Sequence, residues 1–226
     1  MREDDLMKYY VLMNNFLMAA TPEFIYGIID TERRVKVNGV LEGSKKSFPY
    51  YLKDTQCPDQ LFLLCEKTHD ELSFDYYKLG SAHIISDRFF NLLKSLKSSK
   101  YLAKKLTAVS IENDATIRSD LNYVYFIDDI NFIDEELSKL EDDKFGNIIP
   151  HTLAINSHAS KYDFFSINKT LLSGYIFLTE LTATKISNAP LDGIKIVDLK
   201  DAFKNHCADY HYDIELSRKP TKKKLP

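Results

Sequence analysis

Two stretches of the chain carry the same order of local signals, and that order leaves few folds open. In the first, Phe74–Lys78 and His83–Ile85 are rich enough in aromatic and β-branched residues to read as short strands. Ser86 follows at the position of a helix N-cap, with Asp87 in the first turn, where the helix dipole favours an acid. Phe89, Phe90, Leu93 and Leu96 then recur at helical spacing, and Lys94, Lys97 and Lys100 gather at the end that favours cations. In the second stretch, Tyr162–Ile167 and Tyr175–Leu178 read as strands and Thr179 takes the cap position. Leu181, Lys185 and Ile186 lie on a short helix that Pro190 ends; Gly193–Val197 is a last strand, and Asp198 caps a helix through Phe203. The expected fold is α+β: a mixed, mainly antiparallel sheet with short flanking helices and a possible internal strand–strand–helix–strand repeat.

Other segments fit around these two. Tyr9–Met13 reads as a first strand, closed off by Thr21-Pro22. Val35–Leu41 alternates around Asn38-Gly39, a hairpin signal. Residues 42–60, with Gly43, Pro49 and Pro58, read as a loop, and Leu61–Cys65 as a buried strand or a short helix. Leu106–Ile111 and Tyr123–Ile127 are further strands.

The 14 Phe and 14 Tyr among 226 residues supply enough large apolar side chains for a sizeable core. Seven Gly and seven Pro are too few for a low-complexity linker. One domain over residues 1–216 is therefore expected, followed by a disordered basic tail over 217–226, which holds Arg218, Lys219, Lys222, Lys223 and Lys224. The net charge is −3, and without those five cations the body stands at −8. The acidic start and the interruption of Leu6–Ala20 by Lys8, Asn14 and Asn15 argue against a secretory signal or a membrane span, so a cytoplasmic location is expected. Cys57, Cys65 and Cys207 are an odd count without paired spacing, which argues against a disulfide framework.

Familiar catalytic and cofactor motifs are missing. The sequence contains no G-x-G-x-x-G, no G-x-x-x-x-G-K-[ST], no G-x-S-x-G, no H-E-x-x-H, no C-x-x-C and no EF-hand loop. His206-Cys207 with His211 has metal-like residue types, but a structural zinc site needs four ligands at tighter pair spacing, so a solvated helix end is expected there. His83 is expected to make a local hydrogen bond. His151 and His158 are candidates to flank a site, although no Ser, Cys or Asp stands at a diagnostic distance. No cofactor, no metal and no nucleic-acid partner are expected.

The densest charge feature is acidic. Asp128, Asp129, Asp134, Glu135, Glu136, Glu141, Asp142 and Asp143 fall within 16 residues against the single Lys139. A solvated face is the bland reading, a patch for a basic protein partner the next, and catalytic carboxylates of a small hydrolase the third.

Three stretches carry a resemblance to the immunity proteins of bacterial polymorphic toxin systems, chiefly the immunity protein 43 group and the related immunity protein 11 group. Ala82–Leu93 resembles the family's strand, Ser and amphipathic helix. Tyr123–Ser138 is similar to its aromatic strand followed by an acidic Asp-x-x-x-Ser segment, here Asp134 to Ser138. Tyr162–Val197, with Phe164, Phe165, Phe177, Thr179 and the ending Leu191–Ile196, resembles its closing unit, although Ile196 stands where an aromatic is expected. The resemblance implies a non-enzymatic protein that neutralises a cognate toxin C-terminal domain by stoichiometric binding, and it transfers no catalytic residues. The eight acids of 128–143 are then the candidate partner-binding residues. The alternatives are a hydrolase using those carboxylates or His151/His158, and an adaptor with another partner.

Overall fold

Both faces of the strand β1 (Tyr9–Asn14) are apolar, with Tyr9, Val11 and Met13 on one side and Tyr10 and Leu12 on the other. A strand of this kind belongs in the interior of a sheet that is covered on both faces. The computed structural model, which describes residues 7–42, 58–127 and 130–218, places it there. β1 pairs antiparallel with β11 (Ile176–Thr179) and β12 (Ile194–Asp198), and β10 (Phe164–Ser166) completes a sheet of order β10-β11-β1-β12.

A larger sheet is built from β2 (Gly27–Asp30), β3 (Gln60–Cys65), β4 (Tyr76–Leu79), β5 (Ala82–Ser86), β6 (Tyr101–Ser110) and β7 (Thr116–Phe126), in the order β2-β3-β6-β7-β5-β4. Among the described strands of this sheet, only β3 and β6 pair in parallel. A two-stranded sheet joins β8 (Lys139–Asp142) to β9 (Ile148–Thr152). The helices are α1 (Asp87–Lys94), α2 (Glu180–Ser187), α3 (Leu199–Asp209) and α4 (Ile214–Ser217). None of the described helices is long and apolar enough to cross a membrane.

Period-two alternation distributes the described strands' side chains among three large cores and a small cluster of Leu64, Val109 and Ile111. The inward faces of the two large sheets, Leu12, Ile176 and Leu178 on one and Tyr76, Ile85 and Val124 on the other, share a core with Phe89, Phe90 and Leu93 of α1 and Ala183 and Ile186 of α2. The far face of the smaller sheet packs on α3 and β9 through Phe165, Phe177, Ala202, Phe203 and Ile149. The far face of the larger sheet is closed by Ile25, Leu72 and Phe74 over Leu63, Ile84 and Tyr123.

All three caps read from the sequence form. The Ser86 hydroxyl accepts from the Phe89 N–H (3.1 Å), Thr179 from Thr182 (3.5 Å) and the Asp198 carboxylate from Lys200 (3.0 Å). In each sheet the strands before and after the capped helix flank a strand antiparallel to both: β5-β7-β6 around α1, and β11-β1-β12 around α2. The middle strand follows the unit in one case and comes from the N-terminus in the other, so the shared order does not by itself establish a duplicated unit.

Two expectations change. The Asn38-Gly39 turn forms with both residues at positive φ (54° and 77°), but the predicted hairpin reduces to the single bridge Val37–Val40. The expected loop 42–60 gives its last residue to β3, and residues 43–57, Cys57 included, lie outside the described residues.

Polar groups join the two large sheets. The Asp75 carboxylate, 2% exposed, accepts from the Ser86 hydroxyl, from the Arg88 guanidinium and from the Asp192 N–H (2.7 Å). The Asp75 N–H donates to the Asp192 carbonyl (2.8 Å). Nearby, the buried Asn14 amide pairs with both backbone groups of Lys78, and the Tyr76 hydroxyl donates to the Leu12 carbonyl. At the other end, the Lys97 N–H donates to the Asp163 carboxylate (2.7 Å) and its carbonyl accepts from the Asp163 N–H (2.7 Å).

A buried carboxylate serving donors from Ser86, Arg88 and the distant Asp192 is expensive to remove. Asp75→Ala is expected to cost about 3 kcal/mol, and Ser86→Ala about 1–2 kcal/mol because it loses a cap and a joint bond together. Denaturant midpoints measure both; a change below about 0.5 kcal/mol for Asp75→Ala would refute this account of the joint.

Candidate functional site

The acidic run resolves into residues with different tasks. Asp128 and Asp129 lie outside the described residues. Asp134 folds the turn before β8: its carboxylate accepts from the N–H groups of Glu136 (3.2 Å) and Leu137 (3.1 Å), and its carbonyl from Ser138 (3.0 Å). The Ser138 hydroxyl accepts from the Ala154 N–H, so the Asp-x-x-x-Ser segment is a structural turn fastened to the strand end opposite.

Asp143 is fully buried and does not belong to a solvated patch. Its carboxylate accepts from the N–H groups of Phe145 and Asn147, from the Asn147 side chain and from the Tyr212 hydroxyl, at 2.8 to 2.9 Å. Burial opposes its charge, but the Asn147, Tyr212 and Phe145 donors outweigh that and hold its pKa down to about 2. The adjacent Lys144 N–H donates to the Ser217 carbonyl, which docks α4 against this turn. Ser217 is buried and Arg218 reaches Glu141 at 3.5 Å, while residues 219–226 lie outside the described residues.

Glu141 pairs with His151 Nε2 at 2.6 Å; that contact first, then Arg218, holds its carboxyl below the usual range. Glu135, Glu136 and Asp142 remain exposed. They share the β8–β9 unit with Leu137 and Phe145, which are 64% and 71% exposed. Glu135 and Glu136 adjoin Leu137 in the turn before β8, and Asp142 ends the strand that leads to Phe145; exposed apolar side chains with carboxylates beside them in the chain are suited to a protein contact.

The histidines behave differently from expectation. His83 makes no local hydrogen bond: it is completely buried between Tyr76 and Phe126, and neither ring nitrogen has a partner among the described residues. Burial, with Lys78 nearby, pushes its pKa down to about 3. His206 is not on a solvated helix end, because its Nδ1 meets the Tyr175 hydroxyl at 2.9 Å and burial lowers its pKa to about 4. His211 is exposed. The Lys78 ammonium lies 4.4 Å from the Tyr175 ring centre, and burial pulls its pKa down to about 8. His151 borders a cleft of about 430 Å³ in which Thr152 and Tyr9 supply the hydroxyls and neither Ser nor Cys appears. His158 is exposed on the 3-10 turn Ser157–Lys161 and is not hydrogen-bonded to the His151–Glu141 pair. Among the described residues, no group of three or more His, Cys, Asp or Glu is arranged to hold a metal ion.

The family model described as Immunity protein 43 aligns with residues 31–214. No curated protein matches the chain.

The buried groups predict an acid response. The His83 pKa is depressed below its unfolded value near 6.5, so its contribution is complete above that pH and is lost as pH falls toward 3. Asp143, also depressed, contributes above about pH 4 and loses that contribution as pH falls through about 2. His83→Phe is expected to recover about 3 kcal/mol at pH 4 relative to pH 7, and Asp143→Asn to lower the melting temperature at pH 7 but not at pH 2. Melting curves across pH 2–7 test both, and parallel curves for wild type and His83→Phe would rule out the histidine assignment.

Proposed function

The chain belongs to the immunity protein 43 family, and from that premise we propose that it neutralises a cognate bacterial toxin C-terminal domain by direct, stoichiometric binding in the cytoplasm. Family membership across residues 31–214 carries the reading. The surface supports it: the β8–β9 unit presents Glu135, Glu136 and Asp142 with exposed Leu137 and Phe145, on a body with formal charge −8 over residues 1–216. Such a face attracts a basic domain from a distance and gives it apolar area to cover on arrival. Protection then requires no chemistry by this chain. A hydrolase relying on His151 would behave differently, because one substitution would remove its activity.

The direct test is co-purification with the C-terminal domain encoded by the adjacent toxin gene, together with rescue of cells expressing that domain. A Glu135→Gln, Glu136→Gln, Asp142→Asn variant is expected to lower the association rate about tenfold at low salt, with most of that difference gone at 0.5 M salt. His151→Gln is expected to protect as well as wild type. Loss of protection by His151→Gln with binding intact would turn the reading toward catalysis, and an unchanged association rate for the triple variant would remove the hairpin from the interface.

A further inference from the structure

A cleft of about 360 Å³ opens between the turn that follows β1 and the C-terminal end of α3. Phe16 and Phe24 line it from the N-terminal side and Tyr210 from the α3 side, with Glu23, Asp209 and His211 as its polar lining. Phe16 meets Tyr210 edge-on at 6.4 Å, and Tyr26 extends the aromatic surface by tilting against Phe24 at 6.1 Å. Phe24 is 65%, Tyr26 73% and Tyr210 45% exposed. Exposed apolar residues are ordinary when scattered; a concentration of rings at one place is not.

The backbone that carries the rings is anchored. Ile25, between Phe24 and Tyr26, is buried, and the Tyr77 hydroxyl donates to the Glu23 carbonyl at 3.2 Å. The preceding turn is clamped on Gly193, whose carbonyl accepts from the Asn15 N–H (3.0 Å) and whose N–H points at the Met18 sulfur (3.4 Å). A Cβ at Gly193 would stand 2.7 Å from the Phe74 Cβ and 2.9 Å from the Thr21 hydroxyl, so the approach depends on glycine. Prearranged aromatic side chains lose little entropy when a partner covers them.

The chemistry of the cleft selects its occupant. Among the described residues, no Lys or Arg lines it. Asp209 is paired with Lys195, while Glu23 is exposed and has no side-chain ion pair among the described residues. Aromatic faces beside an unpaired carboxylate attract a cation carried on an apolar stem. In a two-fold dimer a second copy would bring Glu23 toward its own equivalent, which like charge disfavours.

We propose that this cleft is a contact surface for the toxin domain and receives an Arg or Lys side chain from an apolar segment of it. The inference rests on the immunity reading above.

The probe is the C-terminal domain encoded by the adjacent toxin gene, titrated calorimetrically against the full chain, with sedimentation velocity of the chain alone. Phe24→Ala with Tyr26→Ala is expected to weaken binding by roughly 30-fold or more. Glu23→Lys, which leaves the rings in place, is expected to weaken it about tenfold. Leu181→Ser, at an exposed position on α2, is expected to leave affinity unchanged, and melting curves confirm that each variant is folded. Wild-type binding with unchanged affinity for both cleft variants overturns the cleft assignment and leaves the immunity reading standing. No binding by wild type overturns that reading and this one together. A dimer of the chain alone that the double variant dissociates assigns the cleft to a second copy and also overturns the proposal.

Discussion

The carboxylate of Asp75 fixes how the two large sheets meet. A charge that is 2% exposed must be fully paired, and its donors come from separated parts of the chain: the Ser86 hydroxyl, the Arg88 side chain and the Asp192 backbone. Ser86 belongs to two structures at once. Its hydroxyl donates to Asp75 and accepts from the Phe89 N–H, so the start of α1 and the joint between the sheets are one hydrogen-bonded unit. The Asp75 N–H donates to the Asp192 carbonyl and the Asp192 N–H to the Asp75 carboxylate, which draws the segment before β12 against the start of β4. Asn14 repeats the device on the neighbouring residues, its amide taking the place of a strand partner for Lys78.

The joint continues to the surface. Asp192 is followed by Gly193, whose close approach to Phe74 and Thr21 holds the turn that presents Phe16 and precedes Phe24. The segments that carry the family resemblance therefore work mainly as fasteners: Ala82–Leu93 contains the Ser86 cap, Asp134–Ser138 is a self-bonded turn, and Leu191–Ile196 holds the Asp192 contact. What such motifs preserve here is the relation between the sheets. The exposed side chains around them, Phe24, Tyr26, Glu135 and Phe145, are free of that duty and available to suit a particular partner.

Much of the fold was legible because the signals are local. A cap needs only its own side-chain oxygen and an amide two or three residues on, so Ser86, Thr179 and Asp198 could be read directly. The strands β1 and β11 were equally readable from short apolar runs, whereas Leu61–Cys65 left a strand and a short helix both open and proves to be the body of β3. The site was less legible because its properties depend on distant residues. Asp143 and Glu136 look alike in the sequence, yet Tyr212, 69 positions from Asp143, takes one into the interior while the other stays in water. His206 looked solvated because Tyr175 and Lys78 reach it only through the fold. The aromatic cleft gave no sequence signal, since Phe16 and Phe24 meet Tyr210 only once α3 is packed.

The two surfaces differ in the range over which they act, and this separates their contributions. Hydrated carboxylates such as Glu135 and Glu136 act through a field that extends about one Debye length, roughly 8 Å at physiological salt, so they bear on how often a basic partner arrives. The rings of Phe24, Tyr26 and Tyr210 can act only on contact, so in the proposed complex they would bear on how long the partner stays. Under the proposed function, a protein that captures a toxin domain before it acts would need both properties. Placing them on different elements lets each change without the other: the turn before β8 can gain or lose acids without disturbing the Gly193 clamp, and the rings can be exchanged without altering the long-range field. The Asp75 joint, which neither surface touches directly, keeps the sheets that carry them in a fixed relation.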